Sequence, residues 1–370
     1  VSKPRVFEKP IGVKDYLPDA VARLRRIERD VLACMRTFGY QEIMTPTLEF
    51  YDTVGAASST SDGKLFKLLD KRGTTMVLRS DVTAPIARVV SSLLKEEKLP
   101  LRLSYHSNVF RALDDEASKE TEFFQTGVEL VGEQSSDADA EIVALAIESL
   151  RAAGVNDFKI ALGHVGFLNG LFGETLPNSP EAQMQLKALL LTRDYVGYRE
   201  AVNKLVITDE ARTELEGILR LRGGKAVLDQ ASALSGDADA KAAIAHLNEV
   251  VAVLDDYGLA SNVMIDLTMI GDFSYYTGMI FEGYAANMGF PVCSGGRYDN
   301  LLKQFGRPAP ATGFALKTNR ILEAVAQAPL EEVKHTVITY TAETRREALQ
   351  QAQQLRTEEG YIVETRRVDK

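Results

Sequence analysis

Two stretches, LRLSYHSNVFR at 101–111 and EFFQTGVELVG at 122–132, limit the folds open to this chain more than any other feature. Each is long enough for a ten-residue strand, and only a short, strongly acidic loop separates them. The expected result is an antiparallel strand pair at the centre of a sheet. Successive side chains of the second stretch must alternate. Phe124, Thr126, Val128 and Leu130 then point to one side, and Gln125, Gly127 and Glu129 to the other. The first set reads as a core face. In the second, an amide and a carboxylate flank a glycine, with their Cα atoms about 13 Å apart. Such a trough, floored by backbone, would suit a small zwitterion: the acid takes an ammonium, and the amide both donates and accepts. A solvated sheet face explains the same pattern equally simply.

The rest of the chain supplies partners for that pair. Residues 19–38 carry Val21, Leu24, Ile27, Val31, Met35 and Phe38 at helical spacing, and Gly39 follows. QEIMTPTLEF reads as a strand interrupted at Pro46, TMVLR as a short strand, and SDVTAPIARVVSSLL as a helix capped by Ser80 or Asp81. A helix over 137–153 and the strand FKIALG come next. Strand signals then vanish from about Gly166 to Gly258, where a helical insertion is predicted. Strands return in SNVMIDLTMI, YYTGMIFEGYA, FPVCSGG and PATGFAL. The tail after APLEEVK reads strand, helix, strand. The expectation is an α+β core over 1–327 with a mostly antiparallel sheet, an insertion at about 166–258, and a short α/β unit over 328–370.

Net charge is −9, which argues against broad contact with nucleic acid or an anionic membrane. No apolar run reaches the roughly 20 residues a bilayer requires, and no signal peptide is expected. Cys34 and Cys293 have no metal-ligand neighbours and read as small core residues of a reduced, cytoplasmic protein. His106, His164, His246 and His335 fall in no metal or nucleophile pattern, and no phosphate-binding glycine motif is present. Neither a metal nor a cofactor is expected.

Three further segments carry polar groups suited to a site. SYYTGMIFE places Tyr275 and Tyr276 where a phenol could close over a ligand, or where both serve as core or edge aromatics. CSGGRYDNLL pairs glycines at a strand end before Arg297, Tyr298 and Asp299, which a tight turn and capped helix would also explain. In LRSDVTAP, Asp81 and Thr83 either face a ligand's amino group or cap a helix.

Taken in order, PIGVKDYLP, FRALDDEASKETEFFQTGVELVG, SYYTGMIFEGY and GGRYDNLL…TGFALKTNR resemble the catalytic domain of histidyl-tRNA synthetase, a class II synthetase fold. The resemblance covers most of residues 5–327, and the tail resembles the start of an anticodon-binding domain. It implies a histidine pocket made by Asp81, Thr83, Arg111, Gln125, Glu129, Tyr275, Tyr276 and Tyr298. Asp81 is one methylene shorter than the family's glutamate.

The departures fall on the nucleotide side. The family's FRYERPQxGRYREFHQ keeps Arg111 here, but its glutamate becomes Leu113 and three arginines become Asp114, Lys119 and Thr121. Residues 111–122 hold five acids against two bases, a net −3 where ATP and RNA would need positive charge. RGLDYYTG reads GDFSYYTG, with Gly271 in place of a catalytic arginine. GFAIGLER reads GFALKTNR, keeping Arg320 but placing Lys317 at a glycine.

A synthetase-like chain with an amino-acid pocket and no ATP site resembles the ATP phosphoribosyltransferase regulatory subunits. That resemblance implies no catalysis by the chain itself. It implies a short-form catalytic subunit as partner, L-histidine as allosteric ligand, and a self-dimer within a hetero-octamer, with activation and feedback inhibition as the function. The rival readings are a divergent histidyl-tRNA synthetase or amino-acid-activating paralogue, and a free histidine sensor.

Overall fold

The computed structural model describes residues 7–112, 120–271, 275–286, 288–326, 334–358 and 361–368. Their contacts divide into two compact units, Val1–Ala326 and Gln327–Lys370.

In the first unit the chain opens with α1 (Pro18–Thr37), β1 (Gln41–Glu42), β2 (Leu48–Phe50), β3 (Lys67–Leu69), β4 (Thr75–Leu78) and α2 (Thr83–Ser91). The predicted pair follows as β5 (Leu101–Phe110) and β6 (Glu122–Val131), then α3 (Ser136–Ala152) and β7 (Phe158–His164). Next come α4 (Val165–Thr175), α5 (Pro180–Leu191), α6 (Tyr195–Lys204), α7 (Asp209–Gly217), β8 (Arg222–Gly223), α8 (Ala226–Leu234) and α9 (Ala238–Asp256). The unit closes with β9 (Val263–Asp266), β10 (Met279–Ala285), β11 (Cys293–Arg297), α10 (Leu301–Gln304), β12 (Ala311–Lys317) and α11 (Thr318–Ala324).

Among the described residues, nine strands form one sheet in the order β1-β5-β6-β12-β11-β10-β7-β9-β8. The β1–β5 and β7–β9 pairs are parallel and the others antiparallel. This mixed sheet with flanking helices is the expected α+β class II arrangement. α1, α3 and α11 pack on one face. On the other, α2 and α10 share an apolar core with Leu103, Tyr105 and Val131. The strand pair is long because both of its faces are buried by these two helix layers.

Three local expectations need correction. QEIMTPTLEF is two strands in two sheets: β1 joins the large sheet, while β2 pairs with β4 in a separate three-stranded sheet, β2-β4-β3. Proline cannot continue a ladder, so the chain changes sheets across Pro46. The insertion is helical except for β8, whose two residues pair with β9. Val21 lies on the apolar stripe of α1 but is exposed, because the first turn runs past the core that buries Leu24, Ile27, Val31 and Met35.

The second unit is β13 (Lys334–Tyr340), α12 (Arg345–Arg356) and β14 (Tyr361–Arg367). Its strands pair in parallel across the intervening helix. Among its described residues, Ala348, Ala352 and Val363 are the buried apolar ones. Among the described residues, no helix is long and apolar enough to cross a membrane.

Candidate functional site

Asp81, Thr83, Arg111, Gln125, Glu129, Tyr275, Tyr276 and Tyr298 all line one cavity of about 80 Å³. They come from the α2 N-terminus, the β5–β6 hairpin, the segment before β10 and the exit of β11. Local sequence supports each placement. Asp81 accepts the Ala84 N–H at 3.0 Å, so it caps α2 while its carboxylate also takes the Ser58 hydroxyl. Capping and site roles therefore coincide at this residue. Arg111 leaves β5 and donates Nε to the Ser80 carbonyl at 2.9 Å. Its guanidinium lies over the Phe123 ring, 5.4 Å from the centroid.

Glu129 is the electrostatic centre. It is 2 % exposed. Thr83 Oγ1 donates to Oε1 at 2.7 Å, and the Tyr298 hydroxyl donates to Oε2. Burial raises its pKa to about 8, with the Asp81 charge adding to the rise and the two hydroxyl donors opposing it. No ion pair to Glu129 forms among the described residues. A carboxyl so placed waits for a cation.

Aromatic rings wall the acid. Tyr275 stacks on Tyr298 with centroids 5.3 Å apart and meets Tyr276 edge-on at 5.0 Å. Burial and the neighbouring Glu129 push the phenols of Tyr275, Tyr298 and Tyr105 well up, so all three remain donors.

The trough predicted over Gly127 is filled. Tyr105 is its direct partner in β5. A Cβ at Gly127 would lie 2.6 Å from the Tyr105 hydroxyl. The glycine therefore admits a neighbouring phenol, and the open space lies beyond it, over Ser294, Gly295, Gly296, Gly313 and Ala315. The paired glycines do not end a strand, as the sequence suggested. Gly295 and Gly296 sit inside β11, opposite Phe314 and Gly313. A Cβ at Gly296 would lie 2.9 Å from the Tyr276 ring, and one at Gly313 would lie 2.1 Å from Glu129 Oε2. Small residues here hold the floor clear for two functional side chains.

Arg297 points away from the cavity. Its guanidinium grips buried Asp139 at 3.0 and 2.9 Å, with His246 Nε2 3.1 Å from the same carboxylate. This network ties α3, β11 and α9 together.

On the nucleotide side, Leu113, Asp114 and Lys119 lie outside the described residues. Two of the loop's acids are already bonded: Glu120 accepts from Lys14 at 2.8 Å and Glu122 from Asn108 at 3.0 Å. Thr121 is buried and donates to the Ile11 carbonyl at 3.0 Å. A Cβ at Gly271 would sit 2.6 Å from the Tyr276 ring. No group of three or more His, Cys, Asp or Glu suited to a metal occurs among the described residues.

Residues 12–321 match the histidyl-tRNA synthetase family. Over 364 residues the chain is 43 % identical to a Halalkalibacterium halodurans protein named ATP phosphoribosyltransferase regulatory subunit, covering 98 % of this chain and 91 % of that one. A Bacillus subtilis protein of the same name is 42 % identical over 358 residues, covering 97 % and 91 %. The chain belongs to the ATP phosphoribosyltransferase regulatory subunit family. Solved structures agree with this regulatory-subunit assignment. A Bacillus halodurans structure described as an ATP phosphoribosyltransferase regulatory subunit/histidyl-tRNA synthetase superposes with a TM-score of 0.91 at 42 % identity, covering 98 % of this chain and 94 % of that chain. A Nostoc histidyl-tRNA synthetase superposes at 0.83 with 21 % identity, covering 99 % and 87 %, a likeness of fold.

Proposed function

We propose that this chain is a non-catalytic subunit that activates a short-form ATP phosphoribosyltransferase catalytic subunit in histidine biosynthesis and conveys feedback inhibition by histidine. The observation that carries the reading is Glu129: a buried acid held by two hydroxyl donors, ringed by phenols and without an ion pair among the described residues. An amino acid's ammonium or a protonated imidazole supplies the missing charge. The cavity is far below the roughly 300–1,000 Å³ of clefts for drug-sized ligands, which favours an amino acid over a nucleotide.

Two changes speak against adenylation. Tyr276 packs where a side chain at Gly271 would stand, and Lys317 brings a long side chain to a position that is glycine in the synthetase pattern. Regulation then works by linkage: histidine shifts the complex only through its differential affinity for active and inhibited states, typically about 1–3 kcal/mol of coupling.

The self-dimer within a cytoplasmic hetero-octamer belongs to the same reading. The three-stranded sheet supports self-association, since Leu48, Phe50 and Leu68 share one apolar face and are 45 %, 55 % and 42 % exposed.

The test is transferase activity of the short catalytic subunit alone, with this chain, and with this chain plus histidine. Stimulation that histidine reverses is expected. Lack of stimulation would overturn the reading.

A further inference from the structure

Cations gather at the Gln125 end of the cavity, with Arg111 in its lining. Lys317, the last residue of β12, pairs directly with Gln125 of β6. That register places it on the pocket face, two residues beyond pocket-lining Ala315. Arg111 lines the cavity beside it, and Arg320 follows in α11.

Carboxylates lie near the cations without hydrogen-bonding them: Asp81 near Arg111, and Glu120, Glu323 and Glu282 near Arg320. Arg111 gives Nε to the Ser80 carbonyl and stacks on Phe123. Arg320 gives Nη1 to the Pro291 carbonyl at 2.7 Å and lies over the Phe290 ring. Among the described residues, none of the three hydrogen-bonds a carboxylate. Glu282, the carboxylate that offsets Lys317, is already held by Arg193 at 3.0 Å and by the Tyr284 hydroxyl. Burial, with repulsion from Arg320 and Arg111, pushes the Lys317 ammonium down to about 8. A cation held partly out of water beside two others is costly unless an anion arrives.

We propose that Lys317, together with Arg111, forms the carboxylate subsite of this pocket and makes it prefer an intact amino acid over the corresponding amine. The inference rests on the reading that the pocket takes an amino acid. It gives the cavity two ends, an acid at Glu129 and bases at Lys317 and Arg111, spaced along β6 from Glu129 to the partner of Gln125. Relative to the synthetase pattern, the chain lacks a cation at Gly271, between β9 and β10, and gains one at Lys317, at the end of β12. The carboxylate is therefore held from β12.

The test compares L-histidine with histamine, which keeps the ammonium and imidazole and lacks the carboxylate. Calorimetry uses the complex of the full chain with its transferase subunit near pH 7. The wild type should bind histidine at least tenfold tighter than histamine. Lys317→Met keeps the aliphatic stem and should weaken histidine about tenfold or more, with histamine changed less than twofold. Lys317→Arg should retain most of the preference. Unchanged histidine affinity in a folded Lys317→Met complex, or equal losses for both ligands, would overturn the carboxylate role and leave the amino-acid pocket standing. Should Lys317→Met not fold, equal affinity of the wild type for the two ligands overturns the role by itself. Binding of neither ligand to the wild type would overturn both.

Discussion

Tyr298 donates its hydroxyl to Glu129 from the exit of β11, reaching across β12 to the carboxylate on β6. Thr83 holds the other oxygen from α2. A helix N-terminus and two non-adjacent strands thus meet at one acid. Burial favours the protonated form of that acid, while the two hydroxyl donors work against it.

The first prediction follows from the sign of that shift. The folded pKa of Glu129, about 8, lies above the usual carboxylate value. Its contribution to stability is therefore full below about pH 4.5 and is lost as pH rises through about 8. Glutamine never ionises. Glu129→Gln should melt at a higher temperature than wild type in the ligand-free state, by a margin that widens from pH 6 to pH 9. The same variant should bind histidine at least tenfold more weakly, because the ion pair is gone. Melts across that range, with calorimetry, decide it. A gap that does not widen would mean Glu129 is already ionised.

Gly313 is the second test. A Cβ there would lie 2.1 Å from Glu129 Oε2 and 2.4 Å from the Val128 carbonyl. Gly313→Ala should cost about 1–3 kcal/mol of stability through overpacking. It should also weaken histidine binding by displacing the carboxylate. Denaturant melts and calorimetry would show the two losses together; an unchanged affinity would mean Glu129 is not the anchor.

The strand pair was legible because its period of two persists for ten residues and both ends are bounded. Gln125 and Glu129 were legible for the same reason. Tyr105 was not. Its own strand marks it only as one of several side chains on a face, and its place over Gly127 depends on cross-strand register. The glycine floor was missed because GG reads as a turn in isolation, while β10 and β12 hold Gly295 and Gly296 in extended pairing. Family resemblance joined the eight residues into one pocket and supplied Arg111; alone, each segment also had a solvated-face, turn, cap, core or edge explanation. Sheet switching at Pro46 is a tertiary choice, and proline signals only the break.

Phe50 tests self-association. It is 55 % exposed and shares its face with Leu48, Met76 and Leu68 across β2, β4 and β3. A charge buried in an apolar interface without a partner is strongly unfavourable. Phe50→Glu should convert a dimer to monomers in sedimentation velocity while the monomer's circular dichroism is retained. A variant that sediments with the wild type would place the contact elsewhere.

Gly271 separates the regulatory reading from its enzymatic rival. The wild-type chain should give only background pyrophosphate exchange with histidine and ATP. Adding the missing arginine should not rescue it. A Cβ at 271 would lie 2.6 Å from the Tyr276 ring and 3.3 Å from Ile280, and the ring's other flank is fixed against Gly296. Gly271→Arg must therefore move Tyr276 out of the pocket wall before its guanidinium can reach a ligand. The expected outcome is exchange still at background and histidine binding weakened about tenfold, with cooperative melting retained. Turnover clearly above a no-protein control, in either the wild type or the variant, would mean the nucleotide side still functions. The chain would then be better described as a divergent synthetase.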